Sequence, residues 1–131
     1  MKDGVAVFGS ADHHIYGLNA KNGKLLWKVK ANAAVLGATT IAGKTAYIGA
    51  SDGAFRAIDI KTGKVNWTYN KVKDYIETKP LVIDNKVIFG AWDNTLYALN
   101  TKTSGYGQET SKECTFLQLQ YGLLVPMERC S

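Results

Sequence analysis

Short apolar runs separated by polar, glycine-bearing turns recur along this chain. Val5–Gly9 reads as a buried strand, followed by a polar turn at Ser10–His14 and a strand at Ile15–Leu18. Asn19–Lys24 is a second turn, and Leu25–Val29 alternates apolar and polar positions about Trp27. Ala34–Ile41, apolar and rich in small residues, reads as a fourth strand, closed by the turn at Ala42–Lys44. The order then repeats: strands at Thr45–Gly49, Ala54–Ile58, Val65–Tyr69 and Thr78–Ile83, with an insertion at Asn70–Glu77, then strands at Lys86–Gly90 and Thr95–Leu99. No segment keeps a 3.6-residue apolar period, so little helix is expected. Regular short strands divided by turn signals predict an all-β antiparallel domain.

The repetition extends to residue identity. Gly-(Ser/Ala)-x-Asp-x-x-(Ile/Phe/Leu)-x-(Gly/Ala)-(Leu/Ile)-(Asn/Asp)-x-Lys occurs at Gly9–Lys21, Gly49–Lys61 and Gly90–Lys102. The first two copies continue as Gly-Lys-x-x-Trp, at Gly23–Trp27 and Gly63–Trp67. Starts 40 and then 41 residues apart point to a repeat architecture, and four strands per unit is the composition of a β-propeller blade. The units begin near residues 5, 45 and 86 and occupy 1–104. Ala33, Ala34, Gly37 and Ala38 suit an inner strand where blades converge.

These motifs carry a family resemblance. Residues 18–27 and 58–67 resemble the tryptophan-docking motif of the pyrroloquinoline-quinone-type propeller repeats, a superfamily with quinoprotein alcohol dehydrogenases and the non-catalytic lipoprotein of the outer-membrane β-barrel assembly machinery among its members. The resemblance covers about residues 3–103. It implies that Trp27 and Trp67, with the turn glycines Gly23 and Gly63, tie neighbouring blades together. It also implies an extracytoplasmic location, in the periplasm or cell envelope.

The third repeat stops early. After Lys102-Thr103 the chain reads Ser104–Glu113, and Gln108 stands where a tryptophan is due. Residues 105–131 form a non-repeat tail, read as a capping segment, a change of reading frame or an unrelated piece. In it Leu117–Tyr121 could be a strand or a helical turn. Two blades and half of a third cannot close a ring of about four to eight, so an incomplete propeller with open faces is expected, prone to join further blades or other copies.

Charge narrows the partners. The net charge of +5 sits on the repeats: residues 1–104 hold 14 Lys/Arg and 8 Asp/Glu, giving +6, and residues 105–131 hold 2 and 3, giving −1. Much of it recurs in turns (Lys21, Lys24, Lys61, Lys64, Lys102), which spreads it around the molecule. A nucleic-acid binder gathers such charge on one face, so none is expected here. No stretch approaches the ~18 apolar residues of a membrane span. Met1–Gly4 leads into the repeats with no signal-peptide pattern. The only cysteines, Cys114 and Cys130, lie in the tail.

Candidate chemistry is sparse. Asp12, Asp52 and Asp93 align, as do Asn19, Asp59 and Asn100. Recurrence in every repeat fits turn capping better than catalysis. His13 and His14 have no further His or Cys nearby to complete a metal set. Trp92 stands where the other repeats have Ala11 and Ser51, either packed on a neighbouring blade or exposed as a binding anchor. With Tyr75 and Lys73 of the insertion, it is a candidate partner contact. No catalytic, cofactor-binding or metal-ligating residue emerges. The expected function is therefore a non-catalytic scaffold for protein assembly. One alternative is part of a quinone-dependent dehydrogenase, using pyrroloquinoline quinone with calcium; the other is a sensor or polysaccharide-binding module.

Overall fold

The computed structural model describes residues 2–101, together with the backbone course of 114–120 and 123–126. The first sheet is β1 (Val5–Gly9), β2 (His14–Asn19) and β3 (Leu25–Lys30) in chain order. The second is β4 (Thr40–Ala42), β5 (Thr45–Gly49), β6 (Phe55–Asp59) and β7 (Val65–Tyr69). The third runs β8 (Leu81–Ile83), β9 (Lys86–Gly90), β10 (Thr95–Asn100), β11 (Cys114–Gln120) and β12 (Leu123–Pro126). Every neighbouring pair is antiparallel, and no helix occurs among the described residues. The all-β, incomplete propeller is therefore as expected, and of the tail's two alternatives at Leu117 the strand is realised. The departure from the repeat at 104–108 lies outside the described residues.

Two expectations need correction. Ala34–Ile41 is not a fourth strand; only Thr40–Ala42 is extended, and it pairs with β5 of the following unit. Likewise β8 pairs with β9. The turns decide this. Gly43, at φ +62°, begins a two-residue hairpin between Ala42 and Thr45. Asp84 and Asn85, at φ +49° and +62°, make the matching turn between Ile83 and Lys86, as the right-handed twist of paired strands requires. The small residues Ala33, Ala34, Gly37 and Ala38 accordingly lie in a connector between sheets. That connector spends its N–H groups on turn carbonyls: Ala31 N–H on His13 O at 2.8 Å and Val35 N–H on Ser10 O at 3.0 Å.

The second correction concerns Asn70–Glu77, which is not an insertion but the counterpart of that connector. Val35 N–H bonds Ser10 O after Gly9, and Ile76 N–H bonds Ala50 O after Gly49. Ser51 N–H bonds Ala34 O, and Trp92 N–H bonds Tyr75 O. The two connectors thus superpose with one extra residue in the second, and the polar sequence of 70–75 disguised this.

Among the described residues three clusters join the three sheets, the smallest being Val5, Ala46 and Ile60 between the first and second. Ile15, Trp27, Ala31, Val35, Ile48 and Ile58 pack between the first and second. Phe55, Trp67, Tyr69, Ile76, Phe89 and Tyr97 pack between the second and third. Burial of such side chains is worth about 1.5–3 kcal/mol each, so the faces between sheets contribute substantially to stability.

Candidate functional site

Three arrangements recur or break the repeat in ways that bear on function. The first is the tryptophan turn. In both repeats a β-bulge precedes the indole: Gly17 pairs with Trp27 and Leu18 with Leu25, skipping Leu26, and Ala57 pairs with Trp67 and Ile58 with Val65, skipping Asn66. A bulge re-aims side chains, and here Trp27 is buried while Leu25 is exposed. Trp27 lies between two glycines. A Cβ added at Gly17 would come within 2.2 Å of its ring, and one at Gly63 within 2.6 Å. Gly63 belongs to the second unit, in the turn after β6. The indole Nε1–H donates to Ile60 O at 2.8 Å, three residues before that glycine. Trp27 of the first sheet is thus seated on the second.

Gly23 holds the same conformation as Gly63, φ +72° against +76°, yet a Cβ there would meet nothing within 4 Å. Trp67 is buried in the cluster facing the third sheet. The residue that would match Gly63 for it, Ser104, lies outside the described residues.

The second arrangement is the aligned aspartates. Asp12 Oδ1 accepts the N–H of His14, Asp52 Oδ1 that of Ala54 and Asp93 Oδ1 that of Thr95, at 2.9–3.1 Å. The turns are the expected Asx turns, and Asp59 and Asn19 cap the following ones. The second oxygen is also taken, always by the residue four positions on. Tyr16 OH donates to Asp12 Oδ2, and Tyr97 OH to Asp93 Oδ2 at 2.5 Å. In the middle repeat Arg56 replaces the tyrosine and grips Asp52 at 2.7 and 3.4 Å, both side chains being buried. Asp52 Oδ2 also accepts the N–H of Asn32 in the first connector, at 3.0 Å.

Burial works against the charge on Asp52, but Arg56 and the N–H groups of Asn32 and Ala54 outweigh it and hold its carboxyl below the ordinary value of 3.8. The Tyr16 hydroxyl lowers Asp12 in the same way, and Asp12 in turn raises Tyr16. Sequence reasoning missed Arg56. The signal was its place: position 56 is the one of three where the repeat departs from tyrosine.

A quinone cofactor held through calcium, as the dehydrogenase alternative requires, needs carboxylate oxygens free to ligate. Asp12, Asp52 and Asp93 each lie in a separate turn, and among the described residues no three His, Cys, Asp or Glu side chains come together as a set that could hold a metal ion.

The third arrangement is an exposed aromatic pair. Tyr75 and Trp92 meet edge to face, with ring centroids 6.1 Å apart and planes at 62°. They remain 49% and 62% exposed. Trp92 is therefore not buried against a neighbouring blade; its contact is this ring of the preceding connector. Tyr75 also borders a cavity of about 360 Å³ between the Ser51–Gly53 turn and the Val72–Asp74 segment, with Lys73 on its wall. Gly53 makes that cavity's floor tight: a Cβ there would meet Val72 O at 2.5 Å. All three predicted contact residues thus fall in one region. His13 and His14 stay in their turn, and His14 Nδ1 sits 3.0 Å from Asp12 O.

The family model for outer membrane protein assembly factor BamB matches residues 1–105. The chain belongs to this family. Among relatives, quinohemoprotein alcohol dehydrogenase ADH IIB of Pseudomonas putida is 33% identical over 125 residues, covering 84% of this chain. The crystal structure of BamB from Moraxella catarrhalis is 28% identical, covers 76% of the chain and superposes with a TM-score of 0.66. The P. putida ADH IIG structure is 26% identical over 85% of the chain, with a TM-score of 0.69. The chain spans 18% of ADH IIB, 32% of the Moraxella BamB chain and 18% of the ADH IIG chain. BamB-type repeats and quinoprotein-type propellers thus share this fold.

Proposed function

We propose that this BamB-family chain is a non-catalytic propeller scaffold that presents a surface for protein assembly at the cell envelope. The observation that supports it most is the fate of the repeated polar residues. Each aligned aspartate is engaged by its own Asx turn and by Tyr16, Arg56 or Tyr97, so the repeated carboxylates are accounted for by turn structure. In this reading Trp27, Trp67, Gly23 and Gly63 serve blade docking, and the partners are proteins or further blades. Self-association through open faces follows where no further blade covers them. The family description supports the envelope, on the extracytoplasmic side, as the place of work.

The dehydrogenase reading is favoured by the likeness to the P. putida enzymes ADH IIB and ADH IIG. A two-part experiment separates the two. The chain is immobilised and exposed to detergent-solubilised outer-membrane assembly complex, and separately titrated with pyrroloquinoline quinone and Ca²⁺ before an alcohol and a redox dye. Retention of an assembly component with no saturable cofactor absorbance is expected. Saturable absorbance with alcohol-dependent dye reduction would overturn the scaffold reading.

A further inference from the structure

The two connectors between sheets make the same backbone contacts with very different side chains. In the first, Ser51 N–H meets Ala34 O; in the second, Trp92 N–H meets Tyr75 O. The fold needs only small residues at this place, because the first connector closes with an alanine and a serine. Yet the second puts two large rings there and leaves about half or more of each in water. Exposing that apolar area brings the isolated chain no stability, while rigid aromatic side chains with little rotamer entropy to lose are the usual anchors of a bound partner.

The pair's geometry favours a side chain over a flat ring system. Two planes at 62° form a notch, open beside a cavity of about 360 Å³ whose wall carries Lys73. The exposed charges of the connector, Lys71, Lys73 and Lys79, are all positive, and among the described residues none is in an ion pair. The acidic residues of the same segment, Asp74 and Glu77, are half-buried, and Asp74 Oδ1 turns back to accept the Tyr75 N–H at 2.8 Å. Asp52 and Asp74 share the cavity's lining with Lys73, Asp52 being paired with Arg56; with three Lys against Asp74 and Glu77, residues 70–79 carry +1.

We propose that Tyr75 and Trp92, with Lys73 and the adjoining cavity, form a docking site for an acidic peptide segment that packs an apolar side chain against the exposed faces of the two touching rings. The proposal deepens the scaffold reading and rests on it, since it names where a protein partner is held and what that partner must carry.

The repeat supplies the substitutions that test it. Trp92→Ser and Tyr75→Ala install the residues that the other connector uses in the same geometry, so the fold should survive them. Lys73→Glu alters only an exposed charge. The full chain is titrated, by calorimetry and tryptophan fluorescence, with a synthetic peptide pool in which Asp or Glu alternates with Leu, Ile or Phe. A pool with Lys or Arg in the acidic positions and a soluble neutral glucan are run beside it.

Binding of the acidic pool, weakened by salt, is expected to fall about tenfold or more in Trp92→Ser and in Tyr75→Ala. Lys73→Glu should weaken it and flatten its salt dependence. Unchanged affinity in Trp92→Ser, equal binding of the basic pool, or a glucan signal lost with Trp92 would each overturn the proposal. If the acidic pool does not bind while an assembly component is still retained by Trp92→Ser, this site is wrong and the scaffold reading stands. If the wild-type chain retains no assembly component, the scaffold reading itself fails.

Discussion

The interface between the first and second sheets and that between the second and third rest on the same repeat but are filled differently. The first is aliphatic, with Ile15, Ile48, Ile58 and Val35 around one indole. The second is aromatic: Phe55 lies parallel to Phe89 at 4.1 Å, Phe89 against Tyr97 at 5.3 Å, and Tyr69 meets Tyr97 at 6.0 Å. Phe8, Ile48 and Phe89 occupy one repeat position, as do Tyr16, Arg56 and Tyr97. The backbone frame, the Asx turns and the bulge before tryptophan are held constant while the filling varies. Blade geometry is therefore set by turn chemistry, and side-chain volume only has to suit it.

That contrast can be broken in several places. Phe55→Ala removes the ring that meets both Phe89 and Trp67 and should cost about 3–5 kcal/mol in urea unfolding. A loss below 1 kcal/mol would mean that the aromatic stack contributes little. Arg56→Leu leaves the Asp52 carboxylate buried without its partner, and about 3 kcal/mol should be lost near neutral pH. Arg56→Tyr, which copies the other two repeats, should recover part of that loss.

The same pair gives a pH signature. Asp52 titrates below its ordinary 3.8 when folded, so its contribution is present above that value and fades as pH falls through the lower folded value. The cost of Arg56→Leu should therefore shrink in acid, where Asp52 is neutral in the variant too. A cost independent of pH would remove the ion pair from the account. At the aliphatic interface, Ile48→Val should cost only about 0.5–1.5 kcal/mol.

Much of this was legible in the sequence. The Gly-x-x-Asp spacing located each Asx turn, and Gly-Lys-x-x-Trp marked the turn and indole that meet across sheets. Strands at Thr45–Gly49, Val65–Tyr69 and Lys86–Gly90 fall where alternation put them. Sheet membership was not legible. Ala34–Ile41 has an apolar composition that fits a strand, but its Val35 N–H is taken by Ser10 O of the preceding turn, a contact that no local pattern announces. The polar residues of 70–75 masked the equivalence of the two connectors, because only Val35 and Ile76 preserve it. Arg56 was hidden for the opposite reason: its carboxylate partner had already been given a sufficient role as a turn cap. Tyr75 and Trp92 were each visible as departures from the repeat, and only the structure brings their rings together.

The Trp27 indole, seated on Gly63, fastens the first sheet to the second. Gly23 and Gly63 provide the direct test, because both sit at positive φ and only Gly63 has the indole against it. Gly23→Ala should cost about 1–2 kcal/mol, the strain of a side chain at positive φ. Gly63→Ala carries the same strain and also drives a methyl into the indole, adding about 1–3 kcal/mol. Equilibrium unfolding of the two variants side by side is predicted to place Gly63→Ala lower by that increment, and with Trp27→Ala in the background the increment should vanish. Equal stability of the two variants, or an increment that survives the loss of Trp27, would contradict the claim.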